Sequence, residues 1–497
     1  MPELTRLDQR CGVASPQREA QCAALLQRLR ESGIEQLRVG WCDLHGQLRS
    51  KTLVCGGEAD AVAEALQAGV GMVSTVLLKD SADRTAFKIF EPGTWQAQSA
   101  LRGFGAANNV LLLPDPASFV PLPWAPGTGW LRAEPYWGDG AAVAACPRRV
   151  LQEALARLQE VGLGLRCGLE VEFHIYRIVD DALAPADAAW PAEPPALHLI
   201  HPGYHLLADA HADLASAPLG IVQRTALGLG LPLRSLEIEL GPSQFEAVFA
   251  PTDALTAADQ MVLFRNGVRQ ALRRAGYYAS FVCRPPLPQA VASGWHLHQS
   301  LVDTQGRPAM VRTAPAGHPL DARRVLSDAG AHWLGGLLTH ASGMAALCAP
   351  SLPAYSRFQG SVMAPQALVW GRDNRGALLR VLGQPGDDGT RIENRIAEPA
   401  ANPYLALAAQ AIAGLDGLQR RLDPGPATED PYAAGAPGLP GSLGQALEAL
   451  RNDVVLQQGL GDTMATIFQV VKQHELSRYA QAQDPAAWER REYFSRQ

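Results

Sequence analysis

Residues 166–176 read RCGLEVEFHIY, an apolar stretch interrupted by Glu170 and Glu172. Alternate residues of a β-strand share a face, so this spacing predicts a strand that sets two carboxylates side by side. Like charges at that distance require a cation between them. Just upstream, RRVLQEALARLQEVG carries apolar residues at 150, 151, 154, 155, 158 and 161. That is a helical stripe ending at Gly162, and it leads into the strand and covers its sheet.

Working outward, PLPWAPGTGW (residues 121–130) is too rich in proline and glycine for a regular element and marks a domain junction near residue 122. Ahead of it, Leu37, Val39 and Trp41 alternate before an Asp43–Gly46 turn, and the chain returns through Leu48 as a hairpin. The expected organisation is a tail over 1–20, a strand-rich module over 21–122 and a larger domain over 123–497. Downstream, TDALTAADQMVLFRNGVRQALRRAG reads as a long helix, and NPYLALAAQAIAGL starts with Asn402 as N-cap and Pro403 at the first helical position. SLGQALEAL carries a capping box from Ser442 to Gln445. Residues 182–204 and 422–441 read as loops. Helices and strands alternate without regular βαβ spacing, which predicts an α+β fold.

Three more stretches repeat the pattern of the first. SLEIELGPSQFEAVF sets Glu237 with Glu239 and Gln244 with Glu246, SGWHLHQSL sets His296 with His298, and RIENRIAEPAANPY alternates Arg391, Glu393 and Arg395 on one face. An isolated E-x-E is most often a solvated strand face, and an H-x-H is as often a surface pair as a ligand pair. Four such stretches in one chain imply a charged cavity. Carboxylates with an occasional imidazole suit Mg²⁺ or Mn²⁺ better than zinc, and arginines beside such ions match phosphate. No GxxxxGK[ST] loop occurs, which excludes the P-loop folds.

Composition narrows the class further. With 497 residues, 47% of them hydrophobic, a net charge of −6 and a pI of about 6.1, the chain buries a large core and offers no basic field for nucleic acid or an anionic membrane. The eight cysteines form no CxxC pair, the N-terminus lacks a secretion pattern, and no apolar run approaches the roughly 18 residues of a membrane span. A soluble cytoplasmic protein is expected.

Taken together, VGWCDLHGQLRSKTL, GLEVEF, the E-x-G-P-S-Q-x-E arrangement ending at Glu246, SGWHLHQSL, GGLLTHASGMAALCAPS, WGRDNRGALLR and RIENRIAEPAANPYLAL resemble the glutamine synthetase family from about residue 34 to about 493. The resemblance implies an N-terminal β-grasp domain and a catalytic domain whose curved antiparallel sheet forms a funnel. It also implies a ring-forming homo-oligomer, a dodecamer in the family pattern, with sites between neighbouring subunits. By the same resemblance Glu172, Glu239 and Glu246 hold one divalent ion, and Glu170, His296 and Glu393 another, with two or three Mg²⁺ or Mn²⁺ per site. Arg357, Arg395 and Gly294 bind glutamate, His298, Ser300, Arg380 and Arg391 bind ATP, and Arg375 assists phosphoryl transfer.

The pattern also departs from that family. Its flap glutamate, which takes a proton from ammonium, is replaced in RFQGSVMAPQ by Met363, and a thioether accepts no proton. The family's DGSS loop is missing from GVGMVSTVLLKDSADRTAF, where Asp80 and Asp83 stand nearby but outside the motif, and Val291-Ala292 replaces an Asn-Gly. This resembles the γ-glutamyl-amine ligase branch, which joins glutamate to polyamines, alkylamines or arylamines. Met363, Trp295 and Met72 are candidates to meet an apolar amine substituent. The alternatives are an ammonia-using glutamine synthetase and a catalytically silent relative acting as sensor or partner.

Overall fold

The computed structural model describes residues 6–56, 61–88, 101, 103–315, 317–359, 363–433 and 435–496. Six strands make the first sheet: β1 (Gln36–Cys42), β2 (Leu48–Val54), β3 (Val70–Val73), β4 (Asn109–Pro114), β5 (Val120–Pro121) and β6 (Thr128–Tyr136). Their order is β2-β1-β6-β4-β3, with β5 on β6. The expected hairpin is present, with Leu37 facing Leu53 and Trp41 facing Arg49. Sheet membership runs on to Tyr136, beyond the junction placed near residue 122, because β6 pairs with both β1 and β4. The proline- and glycine-rich segment is thus a turn inside the first sheet. Residues 16–20, expected as tail, open the helix Pro16–Glu31, whose N-cap Ser15 accepts from the Arg18 N–H.

Ten strands make the second sheet: β7 (Leu163–Asp180), β8 (Ala196–Leu199), β9 (Leu233–Ile238), β10 (Gln244–Phe249), β11 (Thr252–Asp253), β12 (Tyr277–Ser280), β13 (Trp295–Asp303), β14 (Trp370–Arg372), β15 (Leu379–Leu382) and β16 (Arg391–Ala397). They run β14-β15-β16-β13-β7-β10-β9, and β8, β11 and β12 pair with β7. All of these pairings are antiparallel except β14 with β15. β8 falls inside a stretch expected to be loop.

β7 is the spine. Leu165, Cys167, Leu169, Val171, Phe173 and Ile175 are all buried on one face, with Phe173 stacked 5.2 Å from Phe281 and edge-on 5.9 Å from Phe264 of the helix Ala254–Arg274. Burying six such side chains contributes on the order of 10 kcal/mol. A one-residue slip would bury Glu170 and Glu172 instead, so the register that hides the apolar face also aims the carboxylates away from the core.

Behind the sheet, the helix Pro403–Arg420 is buried around most of its circumference. Small residues permit that. A Cβ on Gly336 would lie 2.1 Å from the Ala413 carbonyl, and one on Gly417 would lie 2.2 Å from that of His332, so this helix and Asp328–Thr339 pack backbone to backbone. The two sheets are tied by the hairpin turn: Asn402 donates to the carbonyls of Asp43 (2.8 Å) and Leu44 (3.1 Å), and buried Arg265 donates to that of Gly46 (2.9 Å).

Candidate functional site

Strand register gathers the charged stretches into one row. Glu170 faces His296, Glu172 faces Glu246, Glu246 faces Glu237, and His298 faces Glu393, which faces Arg380. Every one of these comes from a period-2 position, and together they make a row across six strands, with a register shift between β13 and β16 at Trp295–Leu297.

The side chains converge. His298 Nε2 lies 2.9 Å from Glu170, and His296 Nδ1 lies 3.4 Å from Glu170 and 3.8 Å from Glu393, while its Nε2 lies 3.7 Å from Glu172. Two groups have ligand atoms close enough for one ion each: Glu170, Glu246 and His296, and Glu170, His298 and Glu393. Glu170 is thus shared, and His298, expected among the ATP contacts, stands with the potential ligands. The grouping differs from the expected triads because Glu170 on β7 stands between the histidines of β13 and Glu246 of β10. Glu239 lies past the end of β9 at Ile238, with its N–H on the Gln244 carbonyl (3.0 Å) and its carboxylate accepting from the Leu240 N–H (3.1 Å).

Electrostatics distinguish the two sides of the row. Burial, then the nearby charges of Glu172, Glu170 and Glu239, pushes Glu246 up to about 9; burial and Glu239 push Glu172 up to about 7; Glu239 is raised as well, chiefly by burial. Burial also works against ionisation of Glu170 and Glu393, but His296 with His298 for the first, and the same histidines with Arg395 and Arg380 for the second, hold both below the ordinary range. Burial and Arg395 lower His296 to about 4, leaving a neutral imidazole. Crowded, buried carboxylates beside imidazole nitrogens are a donor set that fits a hard divalent cation.

Three arginines border the row. Arg380 donates to Glu393 (3.0 Å) and Asp373 (3.1 Å), Arg391 donates to His298 Nδ1 (3.0 Å), and Arg395 reaches both Glu393 and the carbonyl of Met363 (3.1 Å). Arg357 is buried behind Gly294, where a Cβ would come within 2.5 Å of its guanidinium and 3.0 Å of His296 Nε2. The Gly294 N–H donates to Glu172 (2.9 Å). Ser300 follows on the His296–His298 face of β13 and is half-buried. Arg375 is not drawn in: it is exposed in the turn between β14 and β15.

Met363 has a left-handed backbone (φ 67°), is 51% exposed, and is held by its N–H donating to the Tyr432 hydroxyl (2.9 Å). Flap residues 360–362 lie outside the described residues. Trp295 and Met72 do not join it, since both are buried in the core. Asp80 is buried against Arg478 (3.1 Å), and Asp83 pairs with Arg49 (2.6 Å). Gln244, placed by the sequence on a face with Glu246 but given no role, donates its amide to Glu172 (3.2 Å), Ser293 (3.0 Å) and the Ala292 carbonyl (3.3 Å). Its position two residues before Glu246, on the same face, was the available signal.

An antiparallel sheet bearing a row of carboxylates and histidines edged by arginines defines an enzyme class suited to divalent ions and anionic substrates. Residues 144–493 match the glutamine synthetase catalytic domain. The chain is 35% identical over 477 residues to a γ-glutamylanilide synthase of Acinetobacter, spanning 93% of each chain, and 30% identical over 464 residues to the γ-glutamylethanolamide synthetase GlnA4 of Streptomyces coelicolor, again 93% of each. It also resembles the solved GmaS–ADP complex, with a TM-score of 0.74 and 28% identity over 94% of this chain and 98% of that one. This chain belongs to the glutamine synthetase family.

Proposed function

We propose that the protein is an ATP-dependent glutamate–amine ligase that joins the γ-carboxylate of glutamate to an organic primary amine with an apolar substituent, giving a γ-glutamyl amide, ADP and phosphate. The observation that carries this reading is the contrast between an intact row of potential metal ligands and a flap that presents Met363 where a proton-accepting carboxylate is expected. The names of the anilide and ethanolamide synthases support it.

In this reading Glu170, Glu172, Glu239, Glu246, His296, His298 and Glu393 hold Mg²⁺ or Mn²⁺, which when bound neutralises phosphate charge and so lets a carboxylate approach ATP. Arg357 and Arg395 orient glutamate, with Gly294 leaving the space that Arg357 needs. Arg380 and Arg391 receive ATP phosphates, Ser300 lies alongside, and Arg375, free in its turn, swings toward the transferring phosphoryl group. The γ-carboxylate oxygen attacks the γ-phosphorus, ADP leaves, and the amine nitrogen then displaces phosphate from the acyl phosphate. An arylamine is neutral at pH 7 and needs no strong base, whereas an alkylammonium with a pKa near about 10.4 must first lose a proton, so the thioether suits the aryl case. A ring of identical subunits is the assembly proposed with this activity; sedimentation as a monomer would contradict it.

Glutamate labelled with ¹⁸O in its γ-carboxylate tests the chemistry. One labelled oxygen should appear in the released phosphate, and unlabelled phosphate formed alongside γ-glutamyl product would overturn the acyl-phosphate route. No turnover with any amine would favour the silent-relative reading.

A further inference from the structure

Four arginines fall within residues 265–274, and the site described above uses none of them. Arg265 is spent on the backbone carbonyls of Gly46, Pro399 and Ala401. The other three line a cleft of about 620 Å³ away from the carboxylate row, bounded by Gln47 of the hairpin turn and Leu48 of β2, the helix Ala254–Arg274, Tyr277 and Tyr278 of β12, the 181–195 segment and Ser495 near the chain end.

We propose that this cleft binds a small phosphate-bearing anion, with Arg269 at its inner wall and Arg273 and Arg274 at its rim. Asn266, Arg269, Gln270 and Arg273 stand at i, i+3, i+4 and i+7, on one helix face, so Arg269 and Arg273 are like charges one turn apart, an arrangement that costs stability unless an anion lies between them. Among the described residues none of the three arginines forms an ion pair. Arg269 donates to the neutral Gln47 side chain (2.9 Å) and Arg273 to the Asp181 carbonyl (3.3 Å). The acids of the cleft are engaged elsewhere: the Asp181 carboxylate accepts from the Leu183 N–H (3.3 Å), and Glu193 faces Arg490 (3.4 Å) and Arg491 (3.6 Å). The helix dipole favours cations in the last turn and so accounts for Arg273 and Arg274. It does not account for Arg269, one turn further in, whose pKa burial pushes down with only the Tyr278 phenol opposing. A guanidinium cannot shed its proton to escape this cost, and its fork of donors matches phosphate oxygens. The volume lies within the range of about 300–1,000 Å³ typical of small-molecule sites, so a phosphate attached to a larger body fits.

Calorimetric titration of the full-length enzyme with inorganic phosphate tests this. The active-site arginines provide a second place for phosphate, so the comparison is between wild type and variants of the cleft. Arg273→Glu/Arg274→Glu reverses charge at the rim, where Arg274 is exposed and Arg273 gives up a single bond to the Asp181 carbonyl, and Arg269→Gln keeps an amide beside Gln47. Wild type should bind one more equivalent per chain than either variant, and that equivalent should survive Arg380→Gln. Equal stoichiometry and affinity in wild type and both cleft variants, or loss of all phosphate binding in Arg380→Gln, would overturn the proposal.

Discussion

Replacing Gln244 with methionine changes the volume of a fully buried side chain little and removes its polar atoms. Its carbonyl oxygen accepts the Gly241 N–H at 2.8 Å, and its amide nitrogen donates to Ala292, Ser293 and Glu172. The substitution leaves the Gly241 N–H and the Ala292 carbonyl without their partners, at about 1–3 kcal/mol each. Ser293 Oγ retains His174 Nδ1 at 3.4 Å, and Glu172 retains the Gly294 N–H at 2.9 Å, so neither adds a full penalty. The sum is about 2–6 kcal/mol. Urea denaturation with EDTA present, at one protein concentration, should show that loss, with m unchanged. Because Gln244 also orients Glu172 from behind, Mn²⁺ affinity should fall by about 10–100-fold. A loss under about 0.5 kcal/mol with unchanged Mn²⁺ affinity would mean that Gln244 supports neither the backbone around Glu239 nor Glu172.

Other residues give further expectations. Gly294→Ala forces a methyl group against Arg357 and His296, so the KM for glutamate should rise while thermal stability moves little; an unchanged KM would remove Arg357 from the glutamate contacts. Met363→Glu should raise kcat/KM for ammonium and lower it for an apolar amine, because an unpaired carboxylate beside that amine is unfavourable; equal losses on both amines would reduce Met363 to a packing residue. His340 sits between Asp453 (2.7 Å) and Asp416 (2.9 Å), and although burial opposes its charge, these carboxylates raise its pKa above 6.5. Its contribution to stability is therefore complete below about pH 6.5 and is lost as pH rises through the higher folded value. The difference in unfolding free energy between wild type and His340→Gln should shrink over that rise, and a difference independent of pH would refute the assignment.

Glu170, Glu172, His296, His298, Glu393 and Arg395 were legible in the sequence because each lies in a strand with strict alternation, where parity alone decides which face a side chain joins. Glu239 was less legible, since β9 stops one residue short of it. The extent of the first sheet was hidden by a segment whose prolines and glycines read as a linker, although it only turns the chain from β5 into β6. The capping box at Ser442 is half formed: Ser442 accepts from the Gln445 N–H (3.2 Å), while the Gln445 side chain takes the Gly441 N–H (2.7 Å). The Gly336–Gly417 approach left no trace in periodicity, because close contact between helices depends on what the partner helix presents. Trp295 alternates with His296 and His298 and so turns to the core by the same parity, while Met72 lies buried on a strand of the first sheet whose inward face residue type does not reveal.

The acceptor proposed for this ligase is an organic amine. Phosphate release with glutamate, ATP and Mg²⁺ or Mn²⁺, measured over ammonium, ethanolamine, putrescine, isopropylamine and aniline, tests it most directly. The highest kcat/KM is expected with an apolar amine, aniline or isopropylamine, together with a γ-glutamyl amide of matching mass. The highest kcat/KM with ammonium would contradict it and make the protein an ammonia-using glutamine synthetase with an altered flap.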